Sequence, residues 1–413
     1  MSATNKNLLA TLFSKKMLIT FAFGFSSGLP AVLIGSNLKI WLTREGLSLG
    51  AVGFMSWVGV GIGLKFLWAP LMDRWSLGSW GRRRSWIAFS QMALMGLIIF
   101  LGTFEPKQSL FAMAVVAVLI SFASATQDIA IDAYRRESLN DEEMGLGSSL
   151  YQYGYRAAMY VAGGLGLGLV GSDLFAFSWG QMYLTMGILM GVCLLITLLA
   201  PEPRLDAENI PRGFEEIIIR PFAELFSRSG AIYILLFTIL FKFGDAIAGQ
   251  MLGSFYVQMG YSNQDIALIA KTIGPLAGVF GLFIGGAVLY YVSIYRALWI
   301  FGVLQVLTTA FFALITWTGP QRWALAVVIV LEDLSTAMGS AAFIAFLSMI
   351  TNKKYTGTQF ALLSSLAFVG KIFFSGFSGK MVEQLGWAQF FFACALIGVP
   401  GLLMIFKMKD TTN

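Results

Sequence analysis

The sequence predicts an all-α membrane protein with twelve transmembrane helices in two pseudo-symmetric six-helix halves and both termini in the cytoplasm. Three observations lead there. Of 413 residues, 57% are hydrophobic and only 12% are charged, where a soluble domain carries about 25% charged residues. The apolar residues fall into twelve runs, each long enough to cross a bilayer. The chain also repeats itself at an offset of about 214 residues.

The expected spans are 17–41, 50–70, 84–104, 110–133, 144–171, 179–200, 230–257, 264–288, 297–317, 323–350, 358–382 and 387–407. Residues 1–16 are polar and the first apolar run is too long for a signal peptide, so no cleavable leader is expected. Most loops are short. The exception is 201–229, which begins Pro201-Glu202-Pro203 and mixes acidic and apolar residues over Phe214–Phe226. It reads as a cytoplasmic linker with an interfacial helix between an N-terminal half, 1–200, and a C-terminal half, 230–413. Eighteen of the 28 lysines and arginines lie in segments on the side of the termini, against Arg44, Lys107 and Arg322 in loops on the other. The positive-inside rule therefore makes both termini cytoplasmic. The formal charge of +6 reflects these loops rather than a nucleic-acid surface.

Within the repeat, Gly46-Leu-Ser48 matches Gly260-Tyr-Ser262, Gln91 matches Gln305, Pro106 matches Pro320 and Ser121 matches Ser335. Gly154-Tyr-Arg156 resembles Gly370-Lys371 with a one-residue slip. Two parallel six-helix halves are the layout of the major facilitator superfamily, whose ligand site lies at the midplane between them. The loop Leu71-Met-Asp73-Arg74 through Gly81-Arg82-Arg83-Arg84 resembles the signature loop of that superfamily, with five extra residues between its two parts. The resemblance implies a conformational gate built on Asp73, next to Arg74; Asp132, at the cytoplasmic end of the fourth span, and Arg136 just beyond it are expected to join it. A plain positive-inside anchor is the alternative.

The membrane runs hold an unusual inventory of charge: Lys65, Arg156, Lys242, Lys271 and Lys371 against Asp128, Asp132, Asp245, Glu332 and Asp333. Charge inside a span is costly, so these residues should pair or line a water-filled path. On a helix counted from Leu110, Asp128 sits roughly 27 Å down a core about 30 Å thick, within its cytoplasmic half. Asp132 falls near the interface, where Arg135 and Arg136 at i+3 and i+4 can keep it ionised. No cation on its own helix shares a face with Asp128. The chain has no histidine, so a proton carrier must be a carboxylate. Asp128 is the first candidate, with Asp245 and Glu332 behind it. Arg156 and Lys371, at repeat-related places, could clamp an anionic substrate, joined by Lys242 and Lys271. Gln127, Asn37, Gln152, Gln250 and Gln305 suit hydroxyls and amides. Each has a structural alternative: Lys242 and Asp245 can neutralise one another at i, i+3, Lys65 can snorkel, and the tyrosines near 151–160 can be packing.

Seven stretches in order narrow the family: Phe25-Ser-Ser-Gly28-Leu29-Pro30, Lys65-Phe-Leu-Trp68-Ala-Pro70-Leu-Met-Asp73-Arg74, Gln127-Asp128 with Asp132, Ala200-Pro201-Glu202-Pro203, Lys242-Phe-Gly-Asp245, Lys271-Thr-Ile-Gly274 and Thr358-Gln359-Phe-Ala-Leu-Leu363. Together they resemble the AmpG-type muropeptide permeases over nearly the whole chain. The resemblance implies import of GlcNAc-anhydro-muropeptides from periplasm to cytoplasm across the bacterial inner membrane, driven by the proton gradient. It also implies a role in cell-wall recycling and, in many species, β-lactamase induction. A monomer working in the lipid bilayer on a small-molecule substrate, without a cofactor, is the expected form. A carrier of another anionic solute, such as acetyl-CoA, is the alternative.

Other classes fit less well. A membrane-embedded enzyme would need a nucleophile or metal set, hard to build without histidine and with two separated cysteines, Cys193 and Cys394, which read as small buried hydrophobes. No metal site and no nucleotide-binding loop of the Walker type is present in the sequence. The charge bias gives a direct expectation. Single cysteines at Ser48, Lys107 and Arg322 react with an impermeant thiol reagent in intact cells, and one at Glu208 does not; the reverse pattern would overturn the topology.

Overall fold

The computed structural model describes residues 13–69, 72, 76–78, 80–172, 175–203, 231–350 and 373–412. Within them the chain is helical apart from one isolated bridge, Val170 to Phe177. The helices are α1 Lys15–Arg44, α2 Leu49–Leu64, α3 Arg82–Leu101 and α4 Pro106–Ser138. Next is α5, which runs over Asp141–Met159 and continues through Tyr160–Gly166 to Leu167–Leu169. Then come α6 Trp179–Leu199, α7 Ala231–Gln258, α8 Asn263–Tyr291 and α9 Ile294–Thr318. The last are α10 Arg322–Ile350, α11 Ser378–Leu385 and α12 Trp387–Thr412. Nine helices among the described residues are long and apolar enough to cross a membrane. The linker beyond Pro203 and the start of the expected eleventh span lie outside the described residues.

The contacts gather into two compact units, Met1–Glu45 with Val58–Ile210, and Gly46–Trp57 with Pro211–Asn413. In the first, α3 packs on α4 and α6, and Val60–Leu64 packs on α4. In the second, α9 packs on α10 and α12, and α8 packs on α10. The same pairing thus occurs in both, and the sequence repeat has a local cause. Gly46 and Gly260 both take positive φ, at 79° and 90°, where a side chain would be strained. Two residues on, Ser48 and Ser262 cap the next helix, accepting from Ala51 N at 3.3 Å and Asp265 N at 3.0 Å. The repeat-related Gln91, Gln305, Ser121 and Ser335 are all buried.

Within the first unit α1 and α5 approach closely because glycines face the contact. A Cβ on Gly24 would collide with the Tyr151 carbonyl, and one on Gly154 with that of Phe21. Small residues at such a seam let backbones meet where no hydrophobic force separates helix from lipid.

Several expected straight spans are irregular. Residues 50–70 form α2 with a 3-10 stretch at Met55–Gly59 and another at Lys65–Leu67. Helices α1, α5 and α8 each widen into a π turn, at Leu33–Asn37, Tyr160–Gly166 and Ile266–Ile273. Such turns disturb the backbone ladder, and lipid offers no replacement donors. Side chains supply them. Tyr183 donates to Leu33 O at 2.9 Å, Asn37 Nδ2 to Ala162 O at 2.9 Å, and Thr272 to Ala267 O at 2.9 Å. Helix α7 is broken at Phe241–Lys242, where Lys242 leaves helical geometry with φ −106° and ψ 8°.

Charged groups tie together the ends of α3, α4 and α6. Arg83 is 4% exposed and grips Glu137 of α4 through Nε at 3.0 Å and Nη2 at 2.7 Å. Arg82 also reaches Glu137 at 3.3 Å. Glu202, just past α6, accepts the backbone N–H groups of Arg83 at 2.8 Å and Arg84 at 3.0 Å, so it caps the start of α3. Gly81, with φ 99°, leaves room for this, since a Cβ there would strike the Glu202 side chain. Tyr134 donates to Pro201 O at 2.7 Å and Arg84 to Leu198 O at 2.6 Å. The sequence marks this loop for its basic residues; the structure adds the two acids that hold them.

Two stability outcomes follow from this packing. Gly154→Leu should destabilise by about 1–3 kcal/mol, the range for overpacking, whereas Gly96→Ala, which meets nothing within 4 Å, should leave the unfolding midpoint in detergent unchanged. Glu137→Ala should cost about 3–5 kcal/mol, because it strands a buried guanidinium, and Glu137→Gln should cost less. Chemical denaturation of the purified variants checks both.

Candidate functional site

In the first unit a polar set assembles around Gln127 and Asp128. Helix α4 is apolar along most of its length, so these two side chains point into the bundle rather than outward. Gln127 is fully buried, yet neither its amide oxygen nor its nitrogen meets a partner among the described residues. Asp128 Oδ1 and the hydroxyl of Ser27 on α1 are also buried and without a geometric hydrogen bond. Ser27 lies beside Asp128, the nearest cation is Lys65 at the end of α2, and Asp132 is the nearest acid. Tyr151 and Tyr155 of α5 complete the surround. The Arg135 guanidinium stacks 4.6 Å from the centre of the Tyr151 ring. Gln127 is the one of these with both side-chain atoms unpartnered among the described residues, and each such atom costs about 1–3 kcal/mol when left unmade. Their natural partners are the hydroxyls and amides of a polar solute, or water that accompanies it.

The sequence singles out Gln127 and Asp128 and leaves Lys65 open between a paired intramembrane charge and a snorkelling residue. The structure instead places Lys65, half-buried, within electrostatic reach of both Asp128 and Asp132. Ser27 was missed altogether. Its only signal was the run Ser26-Ser27-Gly28 in a first span otherwise poor in polar residues. Asp132 is exposed and paired with Arg135 at 3.1 Å, and Arg136 is exposed on the same helix. Arg156 is half-buried and Gln152 exposed on α5. Asn37 has its amide nitrogen on Ala162, with Oδ1 buried and unpartnered. Asp73, Arg74 and Lys371 lie outside the described residues.

The second unit has its own polar set. Asp245 lies in the first turn after the break in α7, and Gln305 of α9 donates from Nε2 to Asp245 Oδ2 at 3.2 Å and to Thr336 Oγ1 at 3.1 Å. Lys242, at the break itself, donates to Thr336 O at 3.0 Å. Glu332 of α10 is 7% exposed and accepts from Thr309 at 3.3 Å. Lys271 lies in the last turn of the π stretch of α8, beside Asp333. Gln250 of α7 accepts from Ser56 at 3.4 Å. Both cysteines are buried and free.

The relatives of this chain can now be set beside that geometry. Residues 16–332 match the profile of the Major Facilitator Superfamily. The chain is 38% identical to the anhydromuropeptide permease of Escherichia coli K12 over 394 residues, which span 95% of this chain and 79% of that protein. It is 31% identical to the putative transporter AmpG 4 of Rickettsia conorii, over 95% of this chain and 96% of that one. Among solved structures, a nucleoside transporter NupG variant superposes with a TM-score of 0.75 at 16% identity, over 95% of this chain and 99% of that one. A D-xylose–proton symporter gives 0.70 at 12% identity, over 98% of each chain. These two distant likenesses bear on fold alone. The all-helical units, the polar sets inside them and the matches over nearly the full chain together make this a multi-pass membrane transporter of the Major Facilitator Superfamily, in the family of the anhydromuropeptide permeases.

Proposed function

We propose that this protein imports anhydromuropeptides across the bacterial inner membrane together with protons, feeding cell-wall recycling. The observation that carries the reading is the polar set of Ser27, Gln127 and Asp128, in which both side-chain atoms of Gln127 are buried without a partner among the described residues and Asp128 is flanked by Lys65, Tyr151 and Tyr155. The 38% identity to an anhydromuropeptide permease supports the cargo. In this reading the chain works as a monomer of twelve spans, halves 1–200 and 230–413, a linker at 201–229 and both termini in the cytoplasm. Asp73, Arg74, Asp132 and Arg136 form its gate.

The chemistry suits that cargo. A muropeptide offers sugar hydroxyls, acetamido groups and the carboxylates of its peptide stem. The Gln127 amide can donate to and accept from an acetamido group at once, Asn37, Gln152 and Gln250 offer amide groups elsewhere, and Gln305, whose N–H groups are engaged, offers its oxygen. Lys65, Arg156, Lys242, Lys271 and Lys371 supply charge-assisted hydrogen bonds to carboxylates. Tyrosine faces pack on the apolar faces of sugar rings. Asp128 is the coupling group: a carboxylate that takes up a proton from the periplasmic side and releases it inside changes the charge of the site by one unit. That change favours one of the two states of an alternating-access carrier.

Uptake of labelled anhydromuropeptide into proteoliposomes that are negative inside and acid outside tests the reading, with a free peptide, a disaccharide and acetyl-CoA as competitors. Competition by acetyl-CoA alone would replace the cargo. Asp128→Asn should still bind muropeptide and still exchange labelled for unlabelled substrate, because exchange needs no net proton movement, but should no longer concentrate it. Accumulation by Asp128→Asn under an imposed pH gradient would place the coupling group elsewhere.

A further inference from the structure

We infer that Gly46–Trp57 is a releasable strap, a segment that leaves and rejoins α11 as the carrier opens and closes its periplasmic end. Chain order and packing disagree over this segment. Gly46–Trp57 gathers with the second unit, although the chain on either side of it, Met1–Glu45 and Val58–Ile210, belongs to the first. The repeat-related segment that begins at Gly260 stays with the unit that surrounds it in sequence. Both ends of the strap are built to bend. Gly46 takes φ 79°, and a Cβ placed there would meet nothing within 4 Å. At the other end lies the 3-10 stretch Met55–Gly59, where poorer hydrogen-bond geometry lets a helix yield. Beyond that stretch the rest of α2 is fixed to α4: a Cβ on Gly61 would lie 2.8 Å from Phe122 N.

The seat of the strap is narrow and suited to separation. Glu383 of α11 accepts from Gly50 N at 2.7 Å, across 333 positions of sequence, so a carboxylate meets one of the open N–H groups in the first turn of α2. Trp57 Nε1 donates to Phe373 O, just before α11, at 3.0 Å, and Ser56 donates to Gln250 of α7 at 3.4 Å. The Lys380 ammonium stands 5.1 Å from the centre of the Phe54 ring. Between these points the two backbones touch directly. A Cβ on Gly53 would lie 2.6 Å from Gly379 N, and one on Gly379 would collide with the Leu49 carbonyl. Glycine surfaces of this kind meet closely without interlocked side chains, so they part once the bonds at their edges are given up. Glu383 is exposed, and water replaces the strap as its partner on release. A carrier that alternates between two states needs an end closed by contacts that break in every cycle. The strap's use in transport rests on the carrier reading above, and its periplasmic placement on the charge bias; its seat and its hinges rest on neither.

Thiol labelling and cross-linking of the full chain in lipid, with Cys193 and Cys394 replaced by Ala, test this role. Val52 is fully buried in the seated strap. Val52→Cys should react slowly with a maleimide, and adding Glu383→Ala should speed the reaction about tenfold or more, the weight of one charge-assisted hydrogen bond. Glu383→Gln keeps an acceptor and should speed it less. Ala342→Cys, equally buried in the second unit, should stay unreactive with and without Glu383→Ala, which separates release of the strap from general loosening. The rings of Phe54 and Phe377 stand 6.2 Å apart. With both replaced by Cys, a short reducible bifunctional thiol reagent should bridge them and stop uptake of labelled anhydromuropeptide, and a reductant should restore it. Unchanged labelling of Val52→Cys in the presence of Glu383→Ala overturns the proposal, as does full uptake with the strap bridged; either makes the segment a fixed part of the second unit. If the paired variant does not fold or does not bridge, the labelling decides. Labelling needs no solute, so a wrong cargo leaves this result standing and the two readings fail separately.

Discussion

A polar group inside hydrocarbon has to find its partner within the protein, and both units are arranged around that constraint. Lipid offers neither donors nor acceptors, so each charge or amide placed in a span draws another helix toward it. Arg83 is buried and draws in Glu137, while Glu202 closes the open end of α3. Gln305 links α9 to α7 and α10 at once through Asp245 and Thr336. Around Gln127 and Asp128 the constraint is left unmet among the described residues, with both side-chain atoms of Gln127 unpartnered.

The irregular backbone follows the same logic. A π turn or a helix break is tolerated in a membrane only where side chains take up the displaced carbonyls, and Tyr183, Asn37 and Thr272 do so here. These departures lie close to the polar sets. Lys271 lies in the last turn of the π stretch of α8, Asn37 closes that of α1, and Lys242 occupies the break in α7. A regular helix presents side chains every 100°; a π turn or a break changes that phase and lets a helix with a lipid-facing outer surface aim one polar group inward. Function and local distortion are in this sense a single feature of the fold.

The two polar sets differ in kind. The one in the first unit is open, with several hydrogen-bonding atoms unoccupied and one acid, Asp128, facing a lysine from another helix. The one in the second unit is more nearly closed: Gln305 bridges Asp245 and Thr336, and Thr309 donates to Glu332. Each unit carries the same helix pairing but different side chains at equivalent places.

The sequence by itself determined the class, the positions of the apolar runs, the duplication and the inventory of intramembrane charge, because each is a local or additive property of the chain. Hydropathy sums over a window, and a positive φ glycine with a serine cap, as at Gly46–Ser48 and Gly260–Ser262, is written in three residues. It also marked Gln127 and Asp128, since two polar residues in an apolar helix stand out without any knowledge of their neighbours. Only the tertiary structure decided which charges meet. Lys65 faces Asp128 across 63 positions of sequence, Arg83 faces Glu137 across 54, and Gln305 meets Asp245 across 60. Such pairings depend on how each helix is rotated and how closely it packs. Those are set by glycine contacts such as Gly24 and Gly154 and by π turns whose phase no hydropathy pattern records.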